Sequence, residues 1–314
     1  MRITHRSPTA PTASTTTAPS ATKQPSATSS TVLPAHLPKL TRLDVQRLAP
    51  RAEAAALAGV VAAHVVAEVD TGVKGASGIC HLPGGQTLVV DDDKGIAWMV
   101  KDGSAKTLVK SAEDLEGICA SRDGRDVWVV QEGTRRVERY AVDHDDDGRL
   151  RLTSAGSRKL PKFKDVEDNK GWEGLAFLPA SSAGQPDQLV CVHEGSPRRL
   201  GIFALPELDT GFTLKLPKDA KDLLPDLADV AIDHHGHVFV LTDEGQRVVE
   251  FALVPSSRVA PGALLEQPSL VTVSSFELPL KKGSKPEGLA FDDVGRLWVA
   301  LDTNGRALVL ELDR

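Results

Sequence analysis

The chain has 314 residues, a formal net charge of -6 and 4% aromatic residues, with Tyr140 the single tyrosine. That balance excludes a nucleic-acid surface, which needs a basic stripe and rings for bases to stack on, and it leaves too few rings for a broad carbohydrate platform. No apolar run is long enough to span a bilayer, and three cysteines imply no disulfide framework.

Residues 1–40 are mostly Thr, Ser, Ala and Pro, with no aromatic or acidic residue. Such a segment cannot bury enough apolar surface to offset its ordering entropy, so a disordered tether is expected. It lacks the apolar core of a secretory signal peptide, while its acid-free composition is compatible with an organellar transit or export signal. Residues 41–62 read as a linker with a short Ala-rich helix over 51–59 that stops at Gly59. Ala63 to Asp70 then reads as a strand.

From residue 63 to 314 the chain repeats itself. Gly171-Trp172-Glu173-Gly174-Leu175-Ala176-Phe177 has degenerate copies at Ser77-Gly78-Ile79, Glu116-Gly117-Ile118, Ala228-Asp229-Val230 and Glu287-Gly288-Leu289, spaced 39, 57, 55 and 59 residues apart. A turn and a β-branched or aromatic run follow each copy, then an acidic or amide-bearing segment and a third apolar run. Repeats of this content give an all-β fold, a β-propeller in which each sheet buries its faces only against its neighbours. Five copies predict five blades. The last repeat ends one strand short, so Ala63 to Asp70 is expected to close the ring; if residues 42–70 fold into a degenerate blade, there are six.

In an antiparallel blade the start of the first strand and the end of the second lie at one end of the sheet. Two polar columns therefore share a face. Ser77, Glu116, Glu173, Ala228 and Glu287 form the first, and Asp92 or Asp93, Glu132, Glu194, Glu244 and Asp302 the second. Converging carboxylates need a compensating cation. For Glu116, Glu173 and Glu287, with no cationic partner expected nearby in sequence, a hard metal ion, Ca²⁺, is the candidate. The second column is expected to pair with Arg136, Arg198 or Arg199, Arg247 and Arg306, which follow it within a few residues, or to hold a ligand. Trp172 beside Glu173 is a candidate contact for a sugar or an apolar group.

Glu173-Gly174-Leu175-Ala176, His193-Glu194 with Pro197-Arg198, Leu227-Ala228-Asp229-Val230 with Thr242-Asp243-Glu244, and Pro286-Glu287-Gly288 with Asp302-Thr303-Asn304 resemble the SdiA-regulated, YjiK-like family. The resemblance covers residues 63–314 and implies a propeller with a metal site on its axis. Members of that bacterial family often carry an N-terminal membrane anchor, where this chain has its polar Thr/Pro/Ser segment. More distantly, such Glu-lined mouths resemble those of esterase-like phytases and calcium-dependent lactonases, although a shared fold transfers no reaction.

Other motifs read as structure. His234-His235-Gly236-His237 replaces a turn on the face opposite the Glu columns. Asp143-His144-Asp145-Asp146-Asp147-Gly148 begins like a calcium loop but has Ser154 where an EF-hand places Glu. Trp128, Phe239 and Trp298 share a second-strand column and read as core between blades, and Cys80, Cys119 and Cys191 as small buried hydrophobes. His193 is the candidate for proton transfer. The function expected is binding of a metal with a small anionic ligand, or docking of a protein partner. A metal-dependent hydrolase of phosphoesters, esters or lactones is the alternative, and an exported effector docking a host protein a further one.

Overall fold

The computed structural model describes residues 41–43, 45–47, 59–100, 103–111, 114–161, 171–181, 184–254 and 268–314. The expected tether at 1–40 and the expected helix, apart from Gly59, lie outside them. Three strands precede the first repeat: β1 (Thr41–Leu43), β2 (Val45–Arg47) and β3 (Ala62–Asp70). Blade one is β4 (Ala76–Leu82), β5 (Gln86–Asp91), β6 (Gly95–Met99) and β7 (Ala105–Lys110). Blade two is β8 (Leu115–Ala120), β9 (Asp126–Gln131), β10 (Arg136–His144) and β11 (Leu150–Lys159). Blade three is β12 (Trp172–Leu178), β13 (Gln188–His193), β14 (Arg199–Ala204) and β15 (Gly211–Lys215). Blade four is β16 (Asp229–Ile232), β17 (Val238–Thr242), β18 (Arg247–Val254) and β19 (Ser269–Glu277). Blade five is β20 (Pro286–Phe291), β21 (Leu297–Leu301) and β22 (Arg306–Asp313), completed by β3.

These are five antiparallel sheets, and β3 closes the ring as expected, pairing with β22 from Ala62↔Asp313 to Asp70↔Arg306. Closure removes an open edge, and the Arg306 guanidinium clasps Glu68 at 2.9 Å across the seam. The stretch read as linker also pairs, with β1 adding to β3 and β2 to β19. Lying along two neighbouring blades, these strands form no sixth one.

The inner strands β4, β8, β12, β16 and β20 contact one another in a ring. Aromatic residues lock three of the five seams between blades, as the second-strand column predicts. Trp128 stacks on Phe177 with centroids 5.7 Å apart, Phe239 meets Phe291 edge-on at 5.0 Å, and Trp298 meets His81 at 4.8 Å. Each such pair adds about 0.5–1.5 kcal/mol beyond its buried area. All three cysteines are free and buried. No helix among the described residues is long and apolar enough to cross a membrane.

A second tie joins blades four and five on the face opposite the Glu columns. Glu250, fully buried, accepts hydrogen bonds from the Val60 amide (2.8 Å) and Ser274, and faces His237 Nδ1 at 2.6 Å. Arg314 reaches it at 2.8 Å and also pairs with Asp233. His234-His235-Gly236-His237 is thus a turn, as read from sequence. Asp233 Oδ1 accepts its His235 and His237 amides, and His234 and His235 are exposed.

Candidate metal centre

Four of the five inner strands begin with the same irregularity. The ladder of β12 and β13 jumps from Trp172↔His193 to Leu175↔Cys191, setting Glu173 and Gly174 against one residue. Glu116 with Gly117, Glu287, and Ser77 are skipped in the same way in their own blades. A bulge turns its extra residue out of the ladder, and here it frees the Glu side chains for the axial mouth. Blade four has no bulge, because Asp229 pairs directly with Leu241.

The glycine after each skipped residue is a close-approach position. A Cβ on Gly117 would lie 2.5 Å from the Leu175 amide, and one on Gly174 2.3 Å from Asp229 Oδ1. At that level blade four supplies an aspartate instead of glycine. The Asp229 carboxylate, fully buried, accepts the amides of Val230 (2.7 Å), Leu175 (3.1 Å) and Leu289 (2.6 Å). It therefore ties β12 and β20 to β16 two residues beyond Glu173 and Glu287. Burial pushes its pKa well above the usual carboxylate range, against those three amides.

Above it the acids group differently from the expected ring of three. Carboxylate oxygens of Glu132, Glu173 and Glu194 lie within 4.8 Å of one another, as do those of Asp114, Glu116 and Glu132. Both groups mix the two columns, the first across blades two and three and the second within blade two. Glu132 reaches across because residue 171 is glycine: a Cβ there would sit 1.7 Å from Glu132 Cγ, and the Gly171 amide donates to Glu132 at 3.1 Å. Glu287 lies apart from both groups, with Lys285 at 3.8 Å, a partner two residues away that corrects the expectation of none.

The electrostatics show one continuous acidic mouth. Burial first, then the charges of Glu116, Glu132 and Glu194 and a hydrogen bond to Glu132, push Glu173 up to about 10. Burial and the charges of Asp114, Glu287, Glu132 and Asp92 raise Glu116 to about 9. Glu287 rises to about 7 through burial and Asp302, opposed by Lys285. A carboxyl whose folded pKa is raised stabilises the fold below its unfolded value near 4.5 and loses that contribution as pH rises through the folded value. In chelator-treated buffer the protein is therefore expected to lose stability progressively from pH 5 to pH 9, measured as a falling urea midpoint. A flat profile would show that these acids do not repel as drawn.

Most of the arginines expected to neutralise the second column bind elsewhere. Arg136 donates to Ser157, Arg198 to the Pro225 carbonyl, Arg247 to Ser275 and Glu277, and Arg306 to Glu68. Each is held along its own blade or across a seam rather than by a second-column acid. Asp302 faces Glu287, whereas Glu244 is exposed in its turn, its amide held by Asp226 at 3.2 Å. Its neighbour Asp243 is the acid that acts on Glu287. Asp114, Asp226 and Asp243 were missed from sequence; Asp114 carries a signal, standing two residues before Glu116.

Two candidates turn inward. Trp172 and His193 are each 1% exposed, paired across the ladder and in edge-on contact at 5.2 Å, with Phe203 behind the indole at 5.3 Å. Trp172 is therefore core rather than a ligand platform, and His193, with Nδ1 3.4 Å from the Gly195 carbonyl, is buried beside it. Arg199, 6% exposed, lies beside them and lines a cleft of about 570 Å³ that also includes Glu194.

A family model described as SdiA-regulated matches residues 58–304. No curated protein matches the chain. Among solved structures, glutaminyl cyclase from Myxococcus xanthus is similar with a TM-score of 0.52 and 11% identity, over 80% of this chain and 96% of that one. A gluconolactonase from Xanthomonas campestris is similar with a TM-score of 0.49 and 14% identity, over 88% and 99%. At 11% identity the likeness to the cyclase shows the fold alone.

Proposed function

Since the chain belongs to the SdiA-regulated family, we propose that it is a propeller that binds Ca²⁺ in its mouth, at the seam of blades two and three. The carrying observation is the Glu132, Glu173 and Glu194 group, partly buried, with oxygens within 4.8 Å of one another. Two oxygens on opposite sides of a calcium ion lie about 4.6–5.2 Å apart, so these three can share one ion. Carbonyls and water would complete the six to eight oxygens that calcium takes, and Glu116 with Asp114 would extend the negative field. Bound there, the ion would supply the charge that lets Glu173 ionise. The hydrolase reading is weaker, because the histidine offered for proton transfer is buried behind Trp172.

Calcium titration by calorimetry on the full chain tests this. Stoichiometric binding is expected, lost in Glu173→Gln. At pH 7 Glu173, pushed up to about 10, holds a proton that calcium must displace, so release of about one proton per ion is expected when the heat is compared in two buffers. Calcium-free Glu173→Gln should also be more stable than the parent at pH 9, because the neutral amide folds without taking up the proton that Glu173, pushed up to about 10, must hold there. Unchanged calcium affinity in Glu173→Gln would reject the assignment.

A further inference from the structure

The cleft of about 570 Å³ opens beside blade three on the face of the mouth, with Glu194 in its wall. Its charge is opposite to that of its surroundings. Arg198, Arg199, Lys215 and Lys221 line it against the single acid Glu194, in a chain whose net charge is -6. The strand register concentrates this charge. Arg199 pairs directly with Lys215 across β14 and β15, and with His193 on its other side. Like charges directly opposite each other in a sheet are destabilising, and an anion between them removes the penalty. Lys215 and Lys221 are exposed and make no hydrogen bond or ion pair among the described residues through their side chains. Arg198 is committed to the Pro225 and Lys221 carbonyls, which fixes that wall of the cleft. Leu216, Pro197 and Pro225 give the rest of the lining an apolar character.

We propose that this cleft binds a small phosphate monoester. Its phosphate lies among Arg199, Lys215 and Lys221, and its apolar or ring-shaped body rests on Leu216, Pro197 and Pro225. Arginine and lysine together suit a dianionic phosphate, the first through its planar fork of donors and the second as a point charge. The volume is within the range for small-ligand sites and exceeds what inorganic phosphate alone would fill. Glu194 links the cleft to the carboxylate group, so this inference rests in part on the calcium reading. Without a cation, Glu194 repels the incoming anion; with one, it does not.

The test uses the full chain, with phenyl phosphate as the probe, benzoate as a carboxylate of similar body and inorganic phosphate as the bare anion, each titrated with and without calcium. Phenyl phosphate is expected to bind the calcium-loaded protein more tightly than either comparison probe. The K215A/K221A double variant should lose about tenfold or more of that affinity, while its calcium affinity stays within about twofold, as neither lysine belongs to the carboxylate groups. No binding of phenyl phosphate, or equal binding by the double variant, would overturn the cleft assignment. Equal affinity for benzoate would overturn the phosphate assignment. Binding that needs the lysines in a protein that takes no calcium would support the cleft and remove the metal reading, which separates the two claims.

Discussion

Asp229→Ala is expected to lower the free energy of unfolding by about 3–5 kcal/mol, and Asp229→Asn by less than half as much. The substitution removes the acceptor of three amides, those of Val230, Leu175 and Leu289, at a fully buried point on the axis. A buried donor left without a partner costs about 1–3 kcal/mol, and water entering the space recovers part of the sum. Asparagine keeps one carbonyl oxygen and loses only one arm of the tie. Because Leu175 follows Glu173 by two residues, the alanine variant should also weaken the calcium binding proposed above. Urea unfolding at constant m-value reads the first effect, and a loss below about 1 kcal/mol would show that Asp229 only fills space.

Glu250→Ala is the second large effect, with an expected loss of about 3–5 kcal/mol. Removing one partner of a buried charged network leaves the others uncompensated, here Arg314 together with the amide of Val60 and the hydroxyl of Ser274. The pH dependence carries the opposite sign from that of the mouth. Burial would raise the Glu250 pKa, but hydrogen bonds from His237, Ser274 and Val60 and the charge of Arg314 hold it below the usual range. A depressed carboxyl stabilises the fold above its unfolded value and loses that contribution as pH falls through the folded value. Stability of the calcium-free protein should therefore peak near pH 5, with Glu250 shaping the acid limb and Glu116, Glu173 and Glu287 the alkaline one. Urea midpoints across pH, for the parent and Glu250→Gln, check this; an unchanged acid limb in the variant would contradict it.

The blades were legible because the Glu-Gly pair does two jobs at three of the five inner strands. Glycine permits the close approach at the axis, and the preceding Glu is the residue the ladder skips, so selection for geometry leaves a visible repeat. The closing strand was legible from a deficit, since the last repeat lacked a fourth strand. The grouping of acids was not legible, because it depends on how far one side chain reaches across a seam. Nothing in the Glu132 neighbourhood says that Gly171, in the next blade, makes room for it. The arginines misled for a related reason. Proximity in sequence suggested pairing within a turn, whereas Arg247 and Arg306 point along their sheets to Glu277 and Glu68. Asp229 hid in plain view, because aligning the repeats sets it against glycine and invites the reading of a degenerate copy.

Closure by β3 has a consequence for how the protein is made. Glu68 and Arg306 are 238 residues apart in the chain, so on a ribosome the closing strand is synthesised first and its partner last. At about 5–20 residues per second, β3 waits on the order of 10–50 s with the edge that β22 will cover open. Its first six residues are mostly apolar, the composition that recruits a second copy or a chaperone. Glu68 and Asp70, exposed near its end, are the residues that discourage such pairing during the wait. Replacing them with threonine would leave the finished ring little changed and the nascent chain far more prone to aggregate, so soluble yield during expression, rather than melting temperature, is where their contribution is expected to be seen.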